Sequence, residues 1–308
     1  MSGRSPLRAA ILAAAESARL QRFVQKHGFR LGASRFVAGR SLDEAVTVLA
    51  RLNAQGLLTN TTLLGEGVRS EAETQAAVDA YHEVLKRIHS DGLRTNVALK
   101  LTNLGLSIDE ELAHSNVAEL VGHAAELGNF IRIDMEESGY VDATLRTYRR
   151  LREEGHDNVG AVLQAYLFRS EADLDSLLPL APNLRIVKGA YLEPADIAYP
   201  DKKDVDAAYV RLLEASLAGE GFTAVATHDE RMIEYTIAFT RERDIPSERF
   251  QFQMLYGVRP RLQLDLVRRG YGVLVATPFG PEWYRYLMRR LAERPANLLF
   301  FLKNLVRG

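Results

Sequence analysis

The stretches Leu184-Arg-Ile-Val187 and Phe222-Thr-Ala-Val-Ala226 are short runs of almost continuous apolar character. A strand that is covered on one face only alternates between apolar and polar residues, whereas a strand covered on both faces does not. Burial on both faces is typical of parallel sheets, because the connecting helices lie on either side of the sheet. The two stretches therefore predict a parallel sheet enclosed by helices.

The same alternation of a strand-like run and a helix-like segment continues through most of the chain. Ser70 with Glu73, and Ser107 with Glu110, have the S-x-x-E spacing of a helix capping box. The eight strand-like runs are Thr59–Leu64, Asn96–Leu101, Phe130–Met135, Val159–Tyr166, Leu184–Ala190, Phe222–Thr227, Arg249–Leu255 and Tyr271–Thr277. Eight β-then-α units of about 30 residues predict a (β/α)₈ barrel. A doubly wound open sheet is the alternative, but its G-x-G-x-x-G fingerprint is missing.

The chain divides into two parts on this pattern. Residues 1–56 precede the first unit and are predicted to form an N-terminal helical arm, in which Ser41 and Glu44 open the last helix. Residues 57–308 are predicted to form a single catalytic barrel. No run of 18 apolar residues is present, so we expect no segment to span a membrane.

Composition excludes several classes of function. The 308 residues carry a formal net charge of −1, which argues against a nucleic-acid binder, since such proteins carry a basic excess. The chain contains no Cys, so thiolate metal sites, disulfides and cysteine nucleophiles are excluded, and a reducing compartment such as the cytoplasm is favoured. No Walker A loop, H-E-x-x-H or paired-His metal signature occurs, so we predict no metal site.

Polar residues recur where the predicted strands end. In a (β/α)₈ barrel the active site lies at the carboxyl ends of the strands. Nearly every unit supplies a charged or hydrogen-bonding residue there: Glu66, Lys100, Asp134, Glu136, Gln164, Lys188, Thr227, His228, Gln253 and Tyr256. A single such residue is often only the start of a solvated loop. The recurrence predicts an active site at this end of the barrel.

The last helical segment carries a second polar group. Tyr286, Arg289, Arg290 and Glu293 are spaced i, i+3, i+4 and i+7, so they share one face of a helix. An ordinary solvated face with Arg–Glu pairs explains this pattern as well as a functional role does. The functional interpretation is a clamp for an anion, because guanidinium groups bind carboxylate or phosphate bidentately.

Spacing alone leaves three functions open. Lys100 or Lys188 is a candidate Schiff-base nucleophile, as in barrel lyases and aldolases. Alternatively the mouth holds a flavin, and the arginines bind a substrate carboxylate. A barrel that binds a ligand without catalysis is the third possibility, but it leaves the charges at the mouth unexplained.

Six strings in the same order resemble the proline dehydrogenase family, in particular its short, monofunctional bacterial members. They are Val97-Ala-Leu-Lys100-Leu-Thr, Ile131-Arg-Ile-Asp134-Met-Glu, Val162-Leu-Gln164-Ala-Tyr, Arg185-Ile-Val-Lys188-Gly-Ala-Tyr191, Ala226-Thr-His228 and Tyr286-Leu-Met-Arg289-Arg290-Leu-Ala-Glu293. The resemblance covers about residues 36–306. It implies a distorted (β/α)₈ barrel with its last helix over the mouth. It further implies FAD-dependent oxidation of L-proline to Δ¹-pyrroline-5-carboxylate, with electrons passed to a membrane quinone.

The resemblance also assigns roles to residues. Lys100, Arg289 and Arg290 would bind the substrate carboxylate, and Asp134 would orient the site around Lys100. Tyr191, Leu255 and Tyr286 would enclose the substrate ring, with Glu293 beside its nitrogen. Arg185 would lie near the flavin N5 atom, where a fixed cation stabilises the negative charge that arrives with the hydride. FAD would be held by Met135, Gln164, Lys188, Gly189, Ala190, Thr227 and His228. Glu66 would act as a gate by pairing with Arg289 when the site is empty.

One position departs from the family pattern. Ala276 stands where many members have a Tyr beside the substrate ring. The smaller side chain weakens the expectation of strict selectivity for proline over 4-hydroxyproline.

Overall fold

The computed structural model describes residues 17–29, 32–65 and 68–293, and in them eight parallel strands close into one barrel. The strands are β1 (Leu58–Leu63), β2 (Thr95–Leu99), β3 (Ile131–Ile133), β4 (Val159–Gln164), β5 (Asn183–Val187), β6 (Phe222–Ala226), β7 (Phe250–Leu255) and β8 (Val273–Phe279). Each strand pairs with its neighbours in the sequence, and β8 pairs with β1. The predicted barrel is confirmed, and the doubly wound sheet is excluded.

Helices precede the barrel and separate its strands. They are α1 (Ala18–His27), α2 (Leu42–Ala54), α3 (Glu71–Ser90), α4 (Glu110–Glu126), α5 (Val141–Glu153), α6 (Ser170–Leu177), α7 (Lys202–Ala218), α8 (Glu230–Glu242), α9 (Pro260–Arg268) and α10 (Trp283–Glu293). The described part of the predicted N-terminal arm holds α1 and α2, while residues 1–16 and 294–308 lie outside the described residues. No described helix has the length and apolarity needed to cross a membrane.

Side-chain caps fix where several helices begin. The hydroxyl of Ser70 accepts a hydrogen bond from the backbone N–H of Glu73 at 3.2 Å, as the spacing predicts. The prediction for Ser107 and Glu110 is wrong, because Asp109 caps α4 and accepts from the N–H of Leu112 at 2.8 Å. A turn in which the N–H of Asp109 bonds to the carbonyl of Gly105 places Ser107 before the helix and the carboxylate at its start.

Two hydrophobic clusters hold the described chain together. The larger one lies between the barrel strands and the surrounding helices. The smaller one joins α1 and the segment that follows it to α10, through Val24, Phe36, Trp283 and Leu287. The ring of Phe29 meets the edge of Trp283, with 5.0 Å between ring centroids. The N-terminal arm therefore holds the last helix of the barrel in place.

The floor of the barrel is polar, although branched apolar side chains usually fill this position. Arg132 of β3 is 2% exposed, and its Nη1 donates to the carbonyls of Ala161 at 2.9 Å and Asn183 at 2.8 Å. Its Nη2 donates to the side chain of Asn183. Gly160 lies opposite Arg132 in the strand register. A Cβ atom at Gly160 would lie 2.3 Å from Arg132 Nη1, so glycine leaves the space that the guanidinium occupies.

We predict that Gly160→Ala destabilises the barrel. The added methyl group would also lie 2.5 Å from the carbonyl oxygen of Asn183, which is backbone and cannot move away independently. Overpacking of this kind typically costs about 1–3 kcal/mol, and the backbone contact favours the upper end. The measurement is the urea midpoint of unfolding, followed by circular dichroism.

Gly122→Ala is the matched control. A Cβ atom at Gly122 in α4 meets nothing within 4 Å, and alanine is favoured over glycine in helices by up to ~1 kcal/mol. We expect this midpoint to stay or rise. Equal midpoints for the two variants would contradict the proposed close contact at Gly160.

Candidate active site

A cavity of about 340 Å³ opens at the carboxyl ends of the strands. Of the residues that the sequence assigns to a site, the following line it: Lys100, Asp134, Met135, Gln164, Arg185, Lys188, Gly189, Ala190, Tyr191, His228, Gln253, Leu255, Tyr286 and Arg290. These residues come from five strands or the loops after them, from the loop after β2 and from α10. The structure therefore brings these side chains together in one cavity at this end of the barrel, and their roles stay predictions.

A few of the predicted residues lie elsewhere. Thr227 is buried and does not line the cavity; its hydroxyl accepts from the N–H of Asp229 at 3.1 Å. Glu136 accepts from the N–H and the hydroxyl of Thr102, at 3.2 and 2.6 Å, and so fixes the loop that follows Lys100. Glu66 and the side chains of Arg289 and Glu293 lie outside the described residues. Their roles stay predictions.

Four side chains from the odd-numbered strands meet at the base of the cavity, and we call them the Arg185 layer. Arg185 of β5 donates from Nε to Gln253 Oε1 at 2.6 Å, from Nη1 to Asp134 Oδ1 at 2.7 Å and from Nη2 to Asn60 Oδ1 at 3.1 Å. The layers inside a (β/α)₈ barrel take their side chains from alternate strands, and this layer follows that rule. The guanidinium thereby spans the centre of the barrel.

The described lining of this cavity carries more positive than negative side chains. Lys100, Arg185, Lys188 and Arg290 line it, and Asp134 is the one carboxylate among its described lining residues. Burial lowers the pKa of the Arg185 guanidinium, while the charge of Asp134 and its hydrogen bond act in the opposite direction. An arginine remains protonated under these conditions. The cavity therefore favours an anion or a group that acquires negative charge.

A chain of ion pairs leads from the cavity to the protein surface. Lys188 pairs with Asp206 of α7 and lies 3.8 Å from Asp229, and Asp206 also pairs with Lys202. Burial alone would raise the pKa of Asp206, but the hydrogen bonds and charges of the two lysines bring it below its ordinary value. A Schiff-base lysine needs a desolvated, neutral amine, whereas the Lys188 ammonium is bound to a carboxylate. This arrangement disfavours the lyase alternative at Lys188.

Gln164 leaves one polar atom of the cavity wall open to a bound group. Gln164 is 3% exposed, and its Oε1 has no hydrogen-bond partner among the described residues, so a bound group can supply the missing donor. The Nε2 atom of His228 accepts from the N–H of Leu255 at 2.9 Å. A neutral His228 ring therefore carries its proton on Nδ1.

The loop after β5 brings the backbone close to the cavity. Gly189 has φ of 109°, and a Cβ atom there would lie 2.1 Å from the Tyr166 ring. Only glycine permits both the left-handed backbone and this close approach. The loop carries Ala190 and Tyr191 into the cavity wall.

Helix α10 covers the opposite side. Tyr286 and Arg290 line the cavity, and the Arg290 guanidinium lies 5.1 Å from the centre of the Tyr286 ring. Ala276 of β8 lines the same space, and acceptance of 4-hydroxyproline stays a prediction. No serine, cysteine or threonine paired with a base lines the described cavity. The site can bind an anion, orient an apolar ring and stabilise incoming negative charge.

Comparison with known proteins gives a consistent result. The family model described as proline dehydrogenase matches residues 45–302. Proline dehydrogenase 1 of Bacillus subtilis is 40% identical over 98% of this chain and 99% of its own length. Proline dehydrogenase of Deinococcus radiodurans is 41% identical over 98% of each chain.

A solved structure agrees with the fold. Proline utilization A (PutA) from Bdellovibrio bacteriovorus, inactivated by N-propargylglycine, matches 85% of this chain with a TM-score of 0.81 and 27% sequence identity. The match covers 32% of the PutA chain, so this chain spans about a third of its length.

We predict that Asp229 stabilises the fold through its charge. The hydrogen bond from Arg231 and the charges of Arg231 and Lys188 lower its pKa from 3.8 to about 2, against the effect of burial. A lowered folded-state pKa means that this stability is present above about pH 4 and is lost as the pH falls towards 2. Asp229→Asn should cost roughly 1–2 kcal/mol at pH 7, and most of this difference should be lost by pH 2.

Denaturant unfolding of parent and variant from pH 7 to pH 2 measures this dependence. Asn caps a helix as well as Asp does, so the change isolates the charge. Asp109→Asn is the control, because Asp109 caps α4 and makes no ion pair with a described residue. A difference for Asp229→Asn that does not change with pH would assign its effect to capping alone.

Proposed function

We propose an FAD-dependent mechanism with a quinone acceptor for this chain, which belongs to the proline dehydrogenase family. It is a flavin-dependent enzyme of proline catabolism that oxidises L-proline. The observation that carries the mechanism is the cavity itself, because nearly every described side chain that the family resemblance assigned to cofactor or substrate lines it. Both must bind there together for a hydride to pass between them.

The residues of the cavity divide between cofactor and substrate. Gln164, Lys188 and His228, with the backbone around Gly189, would hold FAD, and the unpartnered Oε1 of Gln164 supports this assignment. Lys100 and Arg290, with Arg289, would bind the proline carboxylate through charge-assisted hydrogen bonds. Tyr191, Leu255 and Tyr286 would pack against the ring of the substrate.

The reaction removes a hydride from ring carbon and a proton from nitrogen, which gives Δ¹-pyrroline-5-carboxylate. Bound FAD supplies the acceptor for the hydride and its two electrons. Arg185 is fixed at the base of the cavity. Its positive charge would stabilise the negative charge that the bound cofactor gains with the hydride. No protein nucleophile is needed, so the protein contributes orientation and electrostatics.

We propose that the protein is cytoplasmic and contacts the inner face of the cell membrane peripherally. A membrane quinone could accept its electrons there. Residues 1–40 contain eight Arg or Lys and one Glu, a formal charge of +7 in a chain of net charge −1. In α1, Arg19, Arg22 and Lys26 are exposed, and Phe23 is 44% exposed. A basic surface with an exposed aromatic ring suits an anionic bilayer.

We first expect the purified protein to be yellow. Anaerobic addition of L-proline should bleach the visible absorbance of the oxidised flavin. Mass spectrometry of the released cofactor distinguishes FAD from FMN. A protein that binds no flavin, but is trapped by borohydride with a carbonyl substrate, would favour the lyase alternative.

Arg290→Ala should weaken proline binding and spare the cofactor. Loss of one partner of a desolvated charge pair typically costs ~2–5 kcal/mol. We therefore expect KM for proline to rise roughly 30-fold or more, since 1.4 kcal/mol is tenfold, while FAD content stays near that of the parent. Arg285→Ala is the control, because Arg285 is exposed on the same helix. An unchanged KM in Arg290→Ala would contradict the carboxylate clamp.

Membrane contact predicts charge-dependent binding to vesicles. The triple variant Arg19→Gln, Arg22→Gln, Lys26→Gln should lose most sedimentation with phosphatidylglycerol vesicles, because each basic residue contributes about 1 kcal/mol near an anionic surface. The triple variant Lys86→Gln, Lys203→Gln, Arg243→Gln removes the same charge from other exposed positions. Equal losses in both would show that net charge alone, and not α1, governs the binding.

A further inference from the structure

Two amide side chains of the Arg185 layer have no part in the function proposed above. Asn60 of β1 is 1% exposed and Gln253 of β7 is 4% exposed. Each directs its oxygen at Arg185: Gln253 Oε1 accepts from Nε, and Asn60 Oδ1 accepts from Nη2. With Asp134 on Nη1, all three nitrogens of the guanidinium are bound. The Arg185 guanidinium is therefore held by hydrogen bonds from three directions and has little freedom to move.

The orientation of both amides follows from the chemistry of their partner. A guanidinium only donates hydrogen bonds, so each amide must present its oxygen. The Nδ2 group of Asn60 then points away from Arg185 and donates to the side-chain oxygen of Asn96. Asn96 lies opposite Asn60 in the register of β1 and β2. The Asn60 amide is therefore fixed at both of its polar atoms: its oxygen accepts from Arg185 and its nitrogen donates to Asn96.

The three groups that accept hydrogen bonds from Arg185 do not all carry a charge. Asp134 is the one carboxylate in the layer, and the two amides accept hydrogen bonds without adding charge. A glutamate at position 253 would make the same contact but would bring a second negative charge to the guanidinium. Lys100 and Arg290 also line the cavity, so its described lining carries more positive than negative side chains. The amides fix the guanidinium without bringing a second negative charge to it.

We propose that Asn60 and Gln253 are positioning residues for flavin reduction, acting through Arg185. Their amides hold the guanidinium still and charged beside the place where the reduced cofactor gains negative charge. A preorganised cation in a low-dielectric site stabilises such charge without reorganising during the reaction. The inference rests on the proposed function, because it requires that FAD bind above the Arg185 layer.

The reduction potential of the bound flavin tests the proposal without proline turnover. Gln253→Glu keeps the length of the side chain and its oxygen, and adds one carboxylate beside Arg185 Nε. We expect the equilibrium constant for two-electron reduction of the bound FAD to fall at least tenfold, a midpoint about 30 mV more negative. Anaerobic titration of the holoenzyme against a reference dye measures this constant, and FAD content should stay near that of the parent.

Gln251→Glu is the matched control. Gln251 lies on the same strand two residues deeper, is half-buried and makes no described hydrogen bond to Arg185. This variant adds the same charge to the same strand, and we expect the equilibrium constant for FAD reduction to change less than threefold. Asn60→Asp is a second test, on β1, and should change the constant in the same direction as Gln253→Glu.

Three outcomes overturn the proposal. The first is that Gln253→Glu and Asn60→Asp bind FAD and leave the constant within threefold of the parent. The second is that Gln251→Glu changes the equilibrium constant as much as Gln253→Glu does, which would show that contact with Arg185 is not what matters. The third is that both acidic variants lose FAD or fail to fold while Gln251→Glu does not, which assigns the layer to stability. A parent protein that binds no FAD instead overturns the proposed function, which is a distinguishable result.

Discussion

A guanidinium buried in the centre of the barrel imposes the main constraint on this structure. A desolvated cation with five N–H donors is costly to bury unless acceptors meet it from several directions. Arg185 finds them on β1, β7 and the end of β3, which only a closed barrel brings to one point. Arg132, inside β3 and two residues before Asp134, is buried in the same way, with carbonyl oxygens and the Asn183 side chain as acceptors and Gly160 leaving room. The barrel interior thereby becomes a polar platform under the active site.

The walls of the site differ from this platform in how they are held. The strand ends are tied by ion pairs such as Lys188–Asp206 and by Glu136 on Thr102. The α10 wall depends instead on the smaller hydrophobic cluster, which joins it to α1 and Phe36. The base of the cavity is therefore held rigid by hydrogen bonds. The α10 wall, which carries Tyr286 and Arg290, is held by apolar packing with the N-terminal arm.

Much of this could be predicted from the sequence. Periodicity predicts eight strands and their order, because two-sided burial and helical spacing leave strong local patterns. The polar residues at strand ends are equally visible, since the fold fixes where they point. Asn60 and Arg132 could not be found in this way, because they lie inside strands, where a polar residue has no local signature. Asp206 was missed because its partner Lys188 is on another element, and Asp109 replaced Ser107 as a cap through a turn that spacing does not show.

The most direct measurement is a crystal structure of the FAD-bound protein with a saturated five-membered-ring carboxylate that cannot be oxidised. We expect the flavin above the Arg185 layer, the ring of the ligand between the flavin and α10, and its carboxylate on Lys100 and Arg290. Arg185 should keep its contacts to Asn60, Asp134 and Gln253. A flavin or ligand bound outside this cavity, or an Arg185 side chain released from the layer, would contradict the central claim that the buried guanidinium organises the site.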